Sequence, residues 1–330
     1  MKAKKKKWPL IAAGILVLVA AAAIIMHDTV WIVWANLTQP KIQMTEGTEW
    51  AGGTFTRVSY GKESSQYLDL YVPSGTENKP LFVLIHGGGF VAGDTQTRQT
   101  QFMYRYFRDH GFACASVNYR LAEEAKYPAA IEDVRDAVRF LAAHAGEYGY
   151  TADRIAIWGE SAGGYLAAYE AVTEDQVNIA ALVDYYGVMD FPSMTPQFRE
   201  QGIPSWVVRI GNSWVSSTCK GYDSFEECWI GQEKSGWTDE LKSRISVLSV
   251  IRAGTANQQL NAMILHGDAD ITVPYAQSTA VAQELSDAYG AEHVSFQLLH
   301  GFGHASDRFY TDERLNEVAE FLHAALDTQK

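Results

Sequence analysis

The sequence predicts an α/β domain built on one mostly parallel sheet of eight strands, with helices on both faces and an insertion that caps one end. Three observations lead there. Short apolar runs rich in branched and aromatic residues recur along the chain, and helix-periodic stretches lie between the later ones, the alternation that gives parallel strands with crossover helices. The first two runs are joined too closely for a helical crossover and should pair antiparallel at one edge. A length of 330 residues, 47% hydrophobic and 20% charged, suits one large domain with a substantial core.

Residues 1–35 stand outside that domain. Lys2, Lys4, Lys5, Lys6 and Lys7 precede an uncharged apolar run over 10–26, the arrangement of a membrane anchor or a signal segment. A helix of that run is roughly 25 Å long at about 1.5 Å per residue, at the short end for spanning a bilayer. Trp8 on one side and Trp31 and Trp34 on the other suit the two interfaces, with the lysines cytoplasmic. The alternative is a cleaved leader, since Ala20 to Ala23 supply small residues. The expectation is therefore a single-pass protein of the cell membrane with an extracellular domain, or a secreted one after cleavage. Residues 36–53 read as linker and 54–330 as the domain itself.

The net charge is −12 with the leader lysines counted, and more negative without them, so nucleic acid is a poor partner. Of three cysteines, Cys114 lies in an apolar run and reads as a buried small hydrophobe. Cys219 and Cys228 lie in a loop-rich segment, where an oxidising compartment would permit a disulfide; two free thiols are the alternative. No nearby His or second Cys pair completes a four-ligand metal set around them.

Strand-like segments fall at 54–60, 67–72, 81–86, 112–118, 154–158, 179–185, 262–266 and 294–299. Between the later ones the helical pattern is clearest over 127–141, where Ile131, Val134, Val138 and Leu141 share a face. The stretch 191–259 departs from the alternation, carries Trp206, Trp214, Trp229 and Trp237, and reads as the cap.

The sharpest local signal is Gly159-Glu160-Ser161-Ala162-Gly163-Gly164, because a strand pattern precedes it and a helix pattern follows. A serine on such a turn is forced into a tight backbone geometry that only small neighbours tolerate, the setting of a nucleophile elbow. A second signal is His86-Gly87-Gly88-Gly89-Phe90 after the apolar run 81–85, where consecutive glycines leave backbone amides open to a ligand oxygen. Asp268 and Asp270 lie after the seventh strand, with Asp190 after the sixth as a more distant candidate acid. His293, His300, His304 and His323 follow as candidate bases, and Gly301-Phe302-Gly303-His304 places His304 in the loop beyond the last strand.

Together with Tyr67-Leu-Asp-Leu-Tyr-Val-Pro73, Asn118-Tyr-Arg-Leu121, Tyr127-Pro-Ala-Ala-Ile-Glu-Asp133 and His266-Gly-Asp-Ala-Asp270, these segments make the chain over 54–326 resemble the carboxylesterase branch of the α/β-hydrolases. That branch includes hormone-sensitive-lipase-like and bacterial feruloyl- and acetyl-esterase-like enzymes. The resemblance implies Ser161 as nucleophile, His304 as base and Asp270 as the acid that orients it, with the amides of Gly88, Gly89 and Ala162 as the oxyanion hole. It implies acyl transfer through an acyl-enzyme, with no metal or organic cofactor. The expected substrate is a small or medium carboxylic ester, free or linked to carbohydrate. Two rivals are weighed against this: a serine peptidase of the same fold, which usually needs an added domain that the chain has no room for, and a silent binding module, which would have lost part of the constellation.

Overall fold

The computed structural model describes residues 49–50, 52–75, 79–208 and 219–326, with Leu16, Val19 and Ala20 of the leader. The anchor or signal reading of 1–35 otherwise falls outside the described residues, as do most of the linker and Trp214. Among the described residues no helix is long and apolar enough to cross a membrane.

In chain order the elements are β1 (Glu49–Trp50), β2 (Gly53–Ser59), β3 (Tyr67–Pro73), β4 (Pro80–Ile85), α1 (Arg98–Asp109), β5 (Ala113–Val117), α2 (Ala129–Ala143), α3 (Ala145–Tyr148), β6 (Thr151–Glu160), α4 (Ala162–Thr173) and β7 (Ile179–Tyr185). There follow α5 (Met194–Glu200), α6 (Phe225–Ile230), α7 (Asp239–Arg244), α8 (Val247–Ala253), β8 (Asn261–Gly267), α9 (Ala276–Tyr289), β9 (Val294–Leu299) and α10 (Asp312–Leu326). All eight expected strands are present. A ninth, the two-residue β1, comes from the segment read as linker and pairs with β2 at the sheet edge.

The strand order is β1-β2-β3-β5-β4-β6-β7-β8-β9. The pairings β1–β2, β2–β3 and β3–β5 are antiparallel, and all those from β5 through β9 are parallel. The antiparallel edge is thus one strand pair wider than the chain's short connections alone imply, because β3 also runs against β5. Parallel strands need cover on both faces, and β4 shows how the sequence meets that demand. Leu81, Val83 and Ile85 face the core under α2, α4, α8 and α9, whereas Phe82 and Leu84 face the core under α1 and α10. The helices match these faces: α1 sends Met103, Tyr104 and Phe107 to the sheet, and α10 sends Leu315, Val318 and Leu322.

Within the stretch read as a cap, α8 packs through Val247, Leu248 and Ile251 into the same core as α4 and α9, so its last helix belongs to the layer over the sheet. Helix α6 is tied to the preceding loop by a disulfide between Cys219 and Cys228, Cα atoms 5.7 Å apart, and Cys114 is buried in β5 as expected of a small hydrophobe.

The hinge between the antiparallel edge and α2 is held by a buried charge. Asp133 has no exposed side-chain surface. It accepts from Arg120 Nη2 at 2.6 Å, from the Arg120 backbone amide at 2.8 Å and from Gln66 Nε2 at 2.7 Å. Removing one partner of such a set strands the others without water. Asp133→Ala is therefore expected to lose about 3–5 kcal/mol of stability, read as a lower urea midpoint; a loss below about 1 kcal/mol, the scale of an exposed pair, would contradict the burial argument.

Candidate active site

Strand β6 ends at Glu160 and α4 begins at Ala162, so a single residue, Ser161, makes the whole reversal. Its backbone takes φ 51° and ψ −119°, a conformation a side-chain-bearing residue adopts only at a cost on the order of 1–3 kcal/mol. The bend is pinned by the Ser161 amide donating to the Tyr185 carbonyl of β7 at 2.9 Å. Gly163 must be glycine because a Cβ there would lie 2.2 Å from the Ile85 carbonyl oxygen and 2.5 Å from that of His86. The start of α4 therefore rests directly on the end of β4, which sets the glycine-rich loop beside the serine.

In that loop Gly88 has φ 112°, and a Cβ would fall 2.0 Å from the Ala92 carbonyl oxygen. Its own carbonyl accepts from the amides of Val91 and Ala92, both at 3.1 Å, and the Gly87 amide donates to Glu160 Oε1 at 3.4 Å. Among the described residues the Gly88 and Gly89 amides donate to no protein acceptor. The Ala162 amide opens α4, where first-turn N–H groups lack intrahelical partners. Phe225, the first residue of α6, lies against Gly89, its ring 2.7 Å from where a Cβ would stand. One turn on, Trp229 stacks on Phe90 with ring centroids 4.2 Å apart.

His304 lies in the loop after β9. Its Nε2 is 3.0 Å from Ser161 Oγ and its Nδ1 is 2.6 Å from Asp270 Oδ2. With a proton on Nδ1 the ring donates to the carboxylate, leaving Nε2 to accept from the serine hydroxyl. Asp270, in the loop after β8, is wholly buried, and its Oδ1 accepts from the amides of Thr272 at 2.7 Å and Val273 at 2.9 Å. Burial by itself would raise its carboxyl; the charge and hydrogen bonds of His304 and His266 overcome that and hold it below the usual carboxylate range.

The other candidates lie elsewhere. Asp268 accepts from the Gly301 amide and from His300 Nδ1, both at 2.7 Å, and so braces the loop that carries His304. His300 is almost fully exposed. The His293 ring meets Asn261, His323 packs against Phe112, and Asp190 makes a backbone bridge to Ser246.

The chain matches the BD-FAE family model over residues 68–285. It belongs to the BD-FAE family. Relatives of this member include a probable carboxylic ester hydrolase, LipM, of Mycobacterium tuberculosis, 30% identical over 44% of this chain and 37% of the relative. An acetyl esterase of Salmonella paratyphi B is 30% identical over 50% of this chain and 49% of the relative. The chain thus spans about half or less of the length of these curated relatives. Similar solved structures include a truncated carbohydrate esterase from gut microbiota, with a TM-score of 0.67 and 22% identity over 85% of this chain and 99% of that one. Esterase B from Lactobacillus rhamnosis gives a TM-score of 0.64 at 19% identity, over 94% and 95%. At these identities the structural likeness establishes the α/β-hydrolase fold.

Three features of this BD-FAE member escaped the sequence reading. Glu160, inside the elbow motif, is buried and accepts from the Tyr186 hydroxyl at 2.7 Å and the Tyr310 hydroxyl at 3.2 Å. Burial raises its carboxyl, against the pull of Tyr186 and His304, and the Tyr186 ring packs edge-on against His304 at 4.8 Å. His266, quoted above only as part of a motif, reaches Asp270. Asp184, opposite Gly159 in the β6–β7 register, is fully buried and accepts from the Gly187 amide at 3.1 Å. Motif spacing flagged the positions of Glu160 and His266; nothing local marked Tyr186, Tyr310 or Asp184.

Burial pushes Asp184 up to about 8, despite hydrogen bonds from Gly187 and Ser278 that act the other way. Between the ordinary carboxyl range near 3.9 and about 8, the folded protein therefore holds a proton that the unfolded chain has released. Its stability contribution falls as pH rises through that window and is constant above it. Asp184→Asn removes this titration. The stability of the wild type relative to the variant, taken from urea midpoints, is expected to decline from about pH 5 to about pH 8; a difference independent of pH would contradict the assignment.

Proposed function

We propose that this protein is a serine carboxylesterase that hydrolyses small or medium carboxylic esters through an acyl-enzyme. The observation that carries this reading is the unbroken line Ser161 Oγ, His304 Nε2, His304 Nδ1, Asp270 Oδ2, with both links at hydrogen-bond length. His304 takes the Ser161 proton as the oxygen attacks the ester carbonyl carbon, while Asp270 holds the ring orientation and stabilises the imidazolium. The negative oxygen so formed is held by the amides of Gly88, Gly89 and Ala162. His304 then gives its proton to the departing alcohol, and in the second half it deprotonates the water that releases the acid and returns the proton to Ser161.

An ester of short acyl length, with carbohydrate as one source of the alcohol, is the substrate class we favour. Support comes from the names of the acetyl esterase relative and the carbohydrate esterase neighbour, and from the Phe225 ring standing against Gly89, which limits bulk beside the expected oxyanion. An exported domain, tethered to the membrane or secreted, is part of the same proposal. The Cys219–Cys228 disulfide, which an oxidising compartment favours, supports it.

Ser161→Ala is expected to lower kcat/KM for p-nitrophenyl acetate by about a thousandfold or more, and intact mass after treatment with a fluorophosphonate should rise by one adduct in the wild type alone. Ester hydrolysis that survives the substitution would overturn the reading. An acyl-length series with turnover confined to long-chain triglycerides would overturn the substrate class.

A further inference from the structure

Asp270 serves two imidazoles with one oxygen. His266 Nε2 is 3.2 Å from Asp270 Oδ2, the same atom that His304 Nδ1 approaches at 2.6 Å. His266 Nε2 is also 3.0 Å from the Val273 carbonyl oxygen. Both partners only accept, so this nitrogen carries a proton. On the other edge of the ring, Nδ1 lies 2.7 Å from Ser278 Oγ in α9, whose hydroxyl can donate to it. His266, Asp270 and Ser278 have no exposed surface, so no water substitutes for any of these contacts.

We propose that His266 is a positioning residue for the triad acid, fixing Asp270 Oδ2 in the path of His304 and withdrawing part of its charge. The inference rests on the catalytic reading of Ser161, His304 and Asp270, and goes beyond it in assigning a second histidine to the machinery. A histidine kept for packing alone would satisfy its N–H on the Val273 carbonyl, and the carboxylate would be indifferent to it. A shared donor has two consequences that packing does not. It adds a contact on Oδ2 to those the Thr272 and Val273 amides make on Oδ1, so the rigid carboxylate is braced at both ends against rotation about its last torsion. It also places the positive end of an N–H dipole beside the same oxygen that accepts from His304 Nδ1, so the two rings share one negative charge.

The other groups facing the two rings do not duplicate this. His304 meets Ser161 from the elbow, the Glu160 charge from the end of β6 and the Tyr186 ring from the turn after β7. His266 meets Ser278 from α9, and beyond it the Asp184 carboxyl of β7, protonated below about 8, can donate to the Ser278 oxygen, so that the hydroxyl proton stays with His266 Nδ1. None of them donates to Asp270 Oδ2.

His266→Phe removes the donor and keeps a flat ring. Its expected effect on p-nitrophenyl acetate hydrolysis is a fall in kcat of about ten- to a hundredfold. The acid limb of the kcat/KM profile should move to higher pH, because the carboxylate charge is then no longer divided between two donors. His266→Gln, which returns an N–H toward Asp270, should bring both back toward the wild type. A folded His266→Phe protein whose acid limb coincides with that of the wild type would overturn the proposal, whatever its kcat. If that variant does not fold, Ser278→Ala carries the test: a smaller upward movement of the limb supports the proposal, and an unmoved limb overturns it. A wild-type protein inert to both ester and fluorophosphonate would instead sink the catalytic reading underneath, so the two failures are distinguishable.

Discussion

Everything in this site depends on a fully buried carboxylate, Asp270, remaining ionised. A lone carboxylate in such a place would take up a proton rather than stay charged. Here it is surrounded by donors, two from the backbone of its own loop and two from histidine rings, and their sum exceeds the cost of burial. The carboxylate can therefore present a full acceptor to His304, which is what selects the ring tautomer with Nε2 open toward Ser161.

The parallel sheet brings these groups together because crossovers of one hand deliver every loop after a strand to the same edge. The end of β4 supplies the glycine-rich loop, the end of β6 the serine, the end of β8 the aspartate and the end of β9 the histidine. These strands span most of the sheet, yet the contacts between loops are short. The close approach of Gly163 to the carbonyls of Ile85 and His86 couples the first two loops, and the His304–Asp270 bond couples the last two. The energetic cost sits at the same edge: the positive φ of Ser161 and a buried Glu160 whose carboxyl is raised. Strain and unfavourable burial are tolerated there because the layers on either side, packed on strands such as β4 that are apolar on both faces, hold the backbone in place.

How much of this was legible follows from the kind of signal each part leaves. Strands that are continuous apolar runs, such as 81–85, or nearly so, such as 179–185 with its one Asp184, could be read almost to the residue, since burial on both faces admits few polar substitutions. Two-residue β1 leaves no such trace. Ser161, Asp270 and His304 were found through short motifs in a fixed chain order, and the geometry unites those three while sending Asp268, His300, Asp190, His293 and His323 to other contacts. Tyr186 and Tyr310 were not legible. Their hydroxyls reach Glu160 from a turn and a short helix that no local pattern connects to the elbow. Among the cap tryptophans, Trp229 and Trp237 are buried anchors, and Trp206 is substantially exposed, a division that composition alone could not make.

The attachment of α6 has a consequence for how such a site can vary. Phe225 touches Gly89 and Trp229 stacks on Phe90, so the cap helix and the glycine-rich loop form one packed unit. The Lys126 ammonium donates to the Cys228 carbonyl at 2.8 Å and the Tyr127 amide to that of Trp229 at 2.9 Å, while the disulfide ties the same helix to the loop before it. The wall made by Phe225 is thus packed on the backbone whose amides are proposed to hold the oxyanion. A side chain larger than Phe225 would press on the loop at Gly89 and displace those amides, whereas a smaller one would open space without moving them. Change at this wall is therefore asymmetric: a smaller side chain in place of Phe225 leaves the glycine-rich loop where it is, and a larger one disturbs it.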